Sequence, residues 1–199
     1  MSEDVHSWIE DVRRRLASPP PQRLPLSEAR QAAVLVPLHV ESGQLQVLLT
    51  KRSDELPHHR SQIAFPGGGR EIGEDPWTTA LRETEEELAL DSRRILRLGQ
   101  LDEAWTPSGY RIIPCVGAVP APVEVVPNEQ EIAEAFSLPL AEFAEPEKIE
   151  DRRVEIDGRE RRLRIYHVEG RQVWGLTARV LQNLMIRLGL DSGPDHEDP

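Results

Sequence analysis

One cysteine in 199 residues, Cys115, leaves no internal disulfide to form, and cysteine usage this sparse points to a reducing cytoplasm. No stretch approaches the roughly 18 consecutive apolar residues that a membrane-spanning helix requires, so no membrane partner is expected. The opening residues MSEDVHSWIEDVRRRL carry a charge every few positions and lack the apolar centre of a secretory signal. Positive charge is also short: 24 Lys and Arg stand against 35 Asp and Glu, a formal net charge of −11. A surface this acidic has no diffuse positive field to draw DNA or RNA, so no nucleic-acid partner is expected. A small polyanionic substrate would then need arginines, backbone N–H groups or bound cations, and the acidic balance points to metal ions as intermediaries. The Gly-x-Ser-x-Gly elbow of serine hydrolases is missing as well. Cys115 lies inside an apolar run, where a buried, inert thiol is expected rather than a nucleophile.

What is present reads as one α/β domain with short terminal additions. Residues 5–16 have helical spacing of Val5, Trp8, Ile9, Val12 and Leu16, and Ser18-Pro19-Pro20-Pro21 ends that helix. Residues 1–27 are thus assigned to a helix and a Pro-rich linker, 28–190 to the main domain, and 191–199 to a disordered acidic tail. Two apolar runs between Ala32 and Thr50 flank Glu41-Ser42-Gly43-Gln44, a hairpin pattern. A Gly-rich loop, Phe65-Pro66-Gly67-Gly68-Gly69, leads into a helix over Pro76 to Leu88, with Asp75 as its N-cap. Further strands are expected at 95–101, 111–119, 123–125 and 163–168, a short helix from Leu138, and a final helix over 175–189. Trp8 and Trp174 read as core or staple residues; Trp105, Pro107 and Tyr110 could either line a pocket or simply pack.

On the Pro76–Leu88 helix, Trp77, Leu81, Thr84 and Leu88 share a stripe that would face the core. Glu83, Glu86 and Glu87 share another side at i, i+3 and i+4 spacing. Three carboxylates so placed repel by a few tenths of a kcal/mol per exposed pair. A hard divalent cation reverses that sign, because it takes its ligands from carboxylate, water and phosphate oxygens. Such runs are commonly no more than a solvated helix face. Here, however, a Gly-rich loop precedes the helix, where backbone amides and the helix N-terminus suit a phosphate.

The full spacing is more specific: Gly68, then Glu74, then Arg82-Glu83, then Glu86-Glu87. It resembles the Nudix box, G-x5-E-x7-R-E-U-x-E-E-x-G-U with U a bulky apolar residue. Thr84 departs from the pattern at an apolar position, and Ala89 stands in place of a glycine. Neither change removes a charged group, and Ala89 asks that the helix end without a left-handed residue there. The resemblance implies an α/β/α sandwich with a mixed sheet and Mg²⁺ or Mn²⁺ held by Glu83, Glu86 and Glu87. It implies hydrolysis in which metals polarise a diphosphate and activate a water. Glu86 is the candidate general base, Arg82 a structural partner of Glu85 or Glu86, and Glu74 a clamp on the loop.

Upstream, LLTKRSDELPHHRSQIAFPGG (residues 48–68) resembles the extra motif of coenzyme A pyrophosphatases, LLTxRS followed by GQxxFPGG. Ser61 stands where glycine is usual and Pro57 where arginine is common. The resemblance extends over LDEAWTPSGYRIIP and VWGLTARVLQNLM. It implies coenzyme A or a derivative as the small-molecule substrate, cut to 3′,5′-ADP and 4′-phosphopantetheine. Arg52, Gln62, Gly67, Gly68 and Arg70 are the candidate substrate-binding residues. Lys51, His58, His59 and Arg60 add cationic groups nearby, although the histidines read better as solvated loop residues. Rival readings are a Nudix hydrolase of ADP-ribose, NADH or dinucleoside polyphosphates, and a silent nucleotide-binding module. The sequence leaves a homodimer open.

Overall fold

The computed structural model describes residues 3–25, 29–54, 61–156 and 158–191. The expected contacts of His58, His59 and Arg60, and most of the expected acidic tail, lie outside the described residues. The fold is an α/β/α sandwich around a mixed sheet. Its first helix, α1 (Glu3–Ala17), precedes a hairpin of β1 (Arg30–Glu41) and β2 (Gln44–Arg52). The turn between these strands carries Ser42 at φ 50° and Gly43 at φ 78°, the double left-handed geometry that matches strand twist in a two-residue hairpin.

Two short strands follow, β3 (Ile63–Ala64) and β4 (Gly67–Gly69), and then helix α2 (Pro76–Leu88). As expected, Asp75 caps α2, its carboxylate accepting from the Thr78 amide at 2.9 Å. Next come β5 (Leu96–Gln100), β6 (Ala104–Trp105), β7 (Tyr110–Ala118) and β8 (Ile132–Pro139). The path β3-β2-β1-β7-β5 forms the sheet, with β8 beside β2, β6 beside β7 and β4 beside β1. Strands β1 and β7 run parallel from Arg30↔Tyr110 to Leu38↔Ala118, while the other pairs are antiparallel. A separate antiparallel sheet orders β11 (Arg171–Trp174), β10 (Arg159–Val168) and β9 (Ile149–Ile156), and α3 (Gly175–Arg187) ends the fold.

The two-residue period of β1 divides the core. Ala33 and Leu35 join Leu48, Ile113, Cys115, Ala80 and Leu88 under α2. Val36 and Leu38 face the other way, into a cluster with Ile9, Val12 and Leu16 of α1 and Leu181 and Leu184 of α3. Cys115 is fully buried and its thiol is pushed up to about 11 by that burial, in line with an inert role. The Pro-rich linker is bound to the domain: Gln22 and Leu24 amides donate to Asp102 and Glu103, and Arg23 reaches Glu103 and Gln100.

Several local expectations are corrected. Residues 123–125 are not a strand; Val123 and Val125 pack on the α2-side core, and the Val126 amide bonds the carbonyl of Leu88. Leu138 belongs to β8, and the short helix after it is a 3-10 turn over Leu140–Ala144. Strand β9 carries charges that hide its strand character. They are paired across the ladder, Asp151 with Arg162 and Arg164, and Arg153 with Glu160. Trp174 is not a core residue: it is 45% exposed, whereas Trp8 packs against the core.

Candidate active site

Strand β4 lies against the first half of β1, with Ala33 opposite Gly68 and Val34 opposite Gly67. The approach is so close that a Cβ at Gly67, where φ is 151°, would stand 2.4 Å from the Ala33 carbonyl oxygen. A Cβ at Gly68 would stand 2.4 Å from the Glu83 carboxyl. The glycines therefore let α2 press its carboxylates onto β4. The Gly67 amide is already engaged, donating to Glu87 Oε2 at 3.1 Å.

The three box carboxylates divide. The side chains of Glu83 and Glu87 are only 17% and 4% exposed, whereas Glu86 is 59% exposed. Burial pushes the Glu87 carboxyl up to about 8, against the opposing pull of the Gly67 amide and of Arg52. Burial also raises Glu83, while Arg82 opposes that shift. Negative charge at Glu131 pushes both upward. Glu131 gave no signal in the sequence, since it sits in an irregular segment without periodicity. Main-chain bonds deliver it to the site. Its carbonyl accepts from the Ser53 amide at 2.8 Å, its amide donates to Asn128, and the Asn128 amide holds the Glu87 carbonyl at 2.8 Å.

Arg82 organises the exposed side of this cluster. Its Nε donates to Glu74 Oε1 at 2.7 Å, and Nη1 donates to Glu83 Oε1 at 2.9 Å and Glu86 Oε2 at 3.1 Å. Its Nη2 reaches the Gly69 carbonyl at 3.1 Å. Of the partners expected for Arg82, Glu86 is found; Glu85 instead accepts from Ser92. Glu74 behaves as a clamp, accepting from Arg82, Thr79 Oγ1 and the Glu71 amide. These bonds, Arg82's first, hold its carboxyl down to about 2. The Thr84 hydroxyl is buried and satisfied by the Ala80 carbonyl at 2.7 Å, so this departure from the apolar pattern leaves no unpaired donor.

The other departures concern the backbone. Ala89 takes φ 53°, so the helix does end on a left-handed residue, contrary to expectation. Ser61 takes φ 55°. At both positions the family pattern carries glycine, which adopts that conformation without the Cβ penalty.

Arg52 stands at the mouth of the site, Nη1 4.0 Å from Glu87 Oε1, and its buried Nε has no hydrogen-bond partner among the described residues. Gln62 is next to it, its carbonyl accepting from the Arg52 amide at 3.0 Å. Arg70 turns to the box loop instead, donating to Gln31 Oε1 at 2.6 Å and to the Glu74 carbonyl. Among the described residues no three acidic, histidine or cysteine side chains converge as a finished metal site. With Arg82 between Glu83 and Glu86, the carboxylates are spread. The donor chemistry nevertheless fits a hard divalent cation: Glu83 and Glu87 are oxygen donors that burial and mutual repulsion leave short of positive charge.

The chain matches a known family in sequence. The NUDIX domain model matches residues 29–157. A protein of Pectobacterium atrosepticum described as an uncharacterized Nudix hydrolase, NudL, is 37% identical over 172 residues, covering 85% of this chain and 88% of its own. A NudL of Yersinia pestis is 36% identical over 156 residues, 78% of each chain. Among solved structures, a MutT/nudix family protein from Enterococcus faecalis aligns over 94% of this chain and 67% of its own, with 17% identity and a TM-score of 0.49.

Proposed function

Because the chain belongs to the Nudix family of hydrolases, enzymes that act on pyrophosphate bonds, we propose that its substrate is coenzyme A or a derivative. The products would be 3′,5′-ADP and 4′-phosphopantetheine or its acyl form. Nudix hydrolases act on nucleoside diphosphate derivatives and generally use divalent ions such as Mg²⁺ or Mn²⁺. The observation that carries the finer reading is Arg52. The LLTxRS segment ends β2 and the GQxxFPGG segment supplies β3 and β4, so Arg52 and Gln62 adjoin at the edge of the carboxylate site. There its Nη1 stands 4.0 Å from Glu87 Oε1, within reach of a diphosphate held at the carboxylates.

In this reading Glu83, Glu86 and Glu87 would hold a divalent cation, which when bound would supply Lewis-acid polarisation of the diphosphate and lower the pKa of the attacking water. Glu86, the carboxylate most open to water, is the candidate base, and Arg82 holds it in place. Gly68 leaves space for the Glu83 carboxyl, Gly67 lets β4 lie close against β1, and Arg70 braces the loop that Glu74 clamps.

Product analysis after incubation with coenzyme A, with and without Mg²⁺ or Mn²⁺, tests the proposal. Metal-dependent release of 3′,5′-ADP is the expected result. Cleavage of ADP-ribose or NADH without cleavage of coenzyme A would keep the metal helix and discard the substrate assignment. Cleavage of no diphosphate would leave a silent nucleotide-binding module.

A further inference from the structure

We propose that Trp174 is the platform on which the base of the nucleotide substrate stacks. This rests on the nucleotide-substrate reading above and adds to it the residue that holds the base. Among the described residues the large apolar side chains left exposed are mostly aliphatic; only Trp105 and Trp174 offer aromatic faces. Of these, Trp174 has the greater exposure, 45% against 36%. It alternates with Val173, which is fully buried in the core, so its indole leaves the strand on the opposite face.

The backbone at Trp174 is also fixed in place. It pairs with Ile165 on one side, and the chain then turns sharply at Gly175, φ 66°, into α3. Thr177 Oγ1 donates to the Ile63 carbonyl at 3.0 Å, pinning this corner to β3. Ile63 directly follows Gln62, whose amide nitrogen lies 3.5 Å from where a Cβ of Gly175 would be. Gln62 in turn adjoins Arg52, and Arg52 lies 4.0 Å from Glu87. The strand end that carries the indole thus lies beside Gln62, whose carbonyl bonds the Arg52 amide at the edge of the carboxylate site.

Trp105 lies on the other side of β1 from β4: it faces Arg111 on β7, whose partner Gln31 is on β1, the strand that carries β4. Three inter-strand steps of roughly 4.8 Å therefore separate it from the Gly-rich strand. With only two side-chain torsions an indole loses little conformational freedom on stacking, and base–aromatic stacking is worth roughly 5- to 150-fold in affinity.

The test is calorimetric titration of adenosine 5′-monophosphate, which has no diphosphate to cleave, into Mg²⁺-loaded wild-type, Trp174→Ala, Trp174→Phe and Trp105→Ala proteins. Trp174→Ala should weaken binding about 5- to 150-fold and raise KM for a nucleoside diphosphate substrate in parallel, with kcat nearly unchanged. Trp174→Phe should restore most of the affinity, and Trp105→Ala should leave it unaltered. Wild-type protein that does not bind the nucleotide would overturn the proposal, as would Trp174→Ala with wild-type affinity or a Trp105→Ala loss as large. If nucleotide binding depends on Trp174 but no diphosphate is cleaved, the hydrolase reading fails and the platform stands.

Discussion

Glu87 and Glu103 are withdrawn from water to nearly the same degree, with side chains 4% and 1% exposed. Their surroundings differ. Glu103 receives Arg23, two contacts from Arg111 at 2.8 and 3.1 Å, and the Leu24 amide at 2.8 Å. Glu87 receives one amide at 3.1 Å and a guanidinium no closer than 4.0 Å. Burying a carboxylate costs several kcal/mol, and only close, hydrogen-bonded positive charge offsets it. Glu103 has that compensation and fastens the linker to the domain. Glu87 lacks it, and that deficit is what the proposed role as a cation ligand would require.

The sharpest way to break this comparison is to neutralise each glutamate in turn. Glu87→Gln, or Glu83→Gln, should lower kcat by about a thousandfold, equivalent to several kcal/mol of charge stabilisation, with the fold intact by circular dichroism. Near-wild-type turnover in either variant would remove the metal assignment. Glu103→Gln should do the reverse. It should destabilise by about 3–5 kcal/mol in urea unfolding, because Arg111 is left buried without its partner, while the folded fraction keeps its kcat.

A pH series sharpens the contrast. Folded protein keeps the Glu87 proton up to about 8, well above the ordinary value of 4.5, so without divalent ions this group makes stability fall as pH rises between those values. Glu87→Gln should flatten that slope in chelator-treated protein; an unchanged slope would place the deficit elsewhere. Glu74, held near 2, acts in the opposite sense: its contribution is full above the ordinary value of 4.5, declines as pH falls below it and is gone below about 2.

Smaller effects follow further from the carboxylates. Arg52→Ala should raise KM for coenzyme A by roughly tenfold, and by less for ADP-ribose, since one charged hydrogen bond is at stake. An equal change for both substrates would mean that Arg52 does not read the coenzyme. Ala89→Gly should stabilise by about 1 kcal/mol, because glycine relieves a left-handed alanine, and a thermal melt would show whether it does.

Much of this site was legible in the sequence because its parts are local. Helical spacing gave α2 to the residue, Asp75 was readable as its cap, and Glu74, Arg82 and the three box glutamates fall in a fixed pattern. The glycine positions were read for phosphate access, whereas Gly67 and Gly68 make room for β1 and for Glu83. Ala89 was expected to end the helix without a left-handed residue, although a glycine in a family pattern is a statement about the backbone, and both Ala89 and Ser61 keep the positive φ. Glu131 and Trp174 were missed for a different reason. Both take their place from strand pairing and main-chain bonds between distant segments, which leave no periodic trace.

The match to the family ends at residue 157, and it begins at residue 29. The apolar socket on the side of the sheet away from α2 is filled from beyond both limits, by Ile9, Val12 and Leu16 before and by Val180, Leu181, Leu184 and Met185 after. Arg15 ties the two helices directly, donating to the Leu188 carbonyl at 3.1 Å. The portion that carries the chemistry is therefore smaller than the portion that must melt as one. A version trimmed to the matched span would retain every catalytic candidate and yet present an open greasy flank, the kind of surface that drives chains to aggregate.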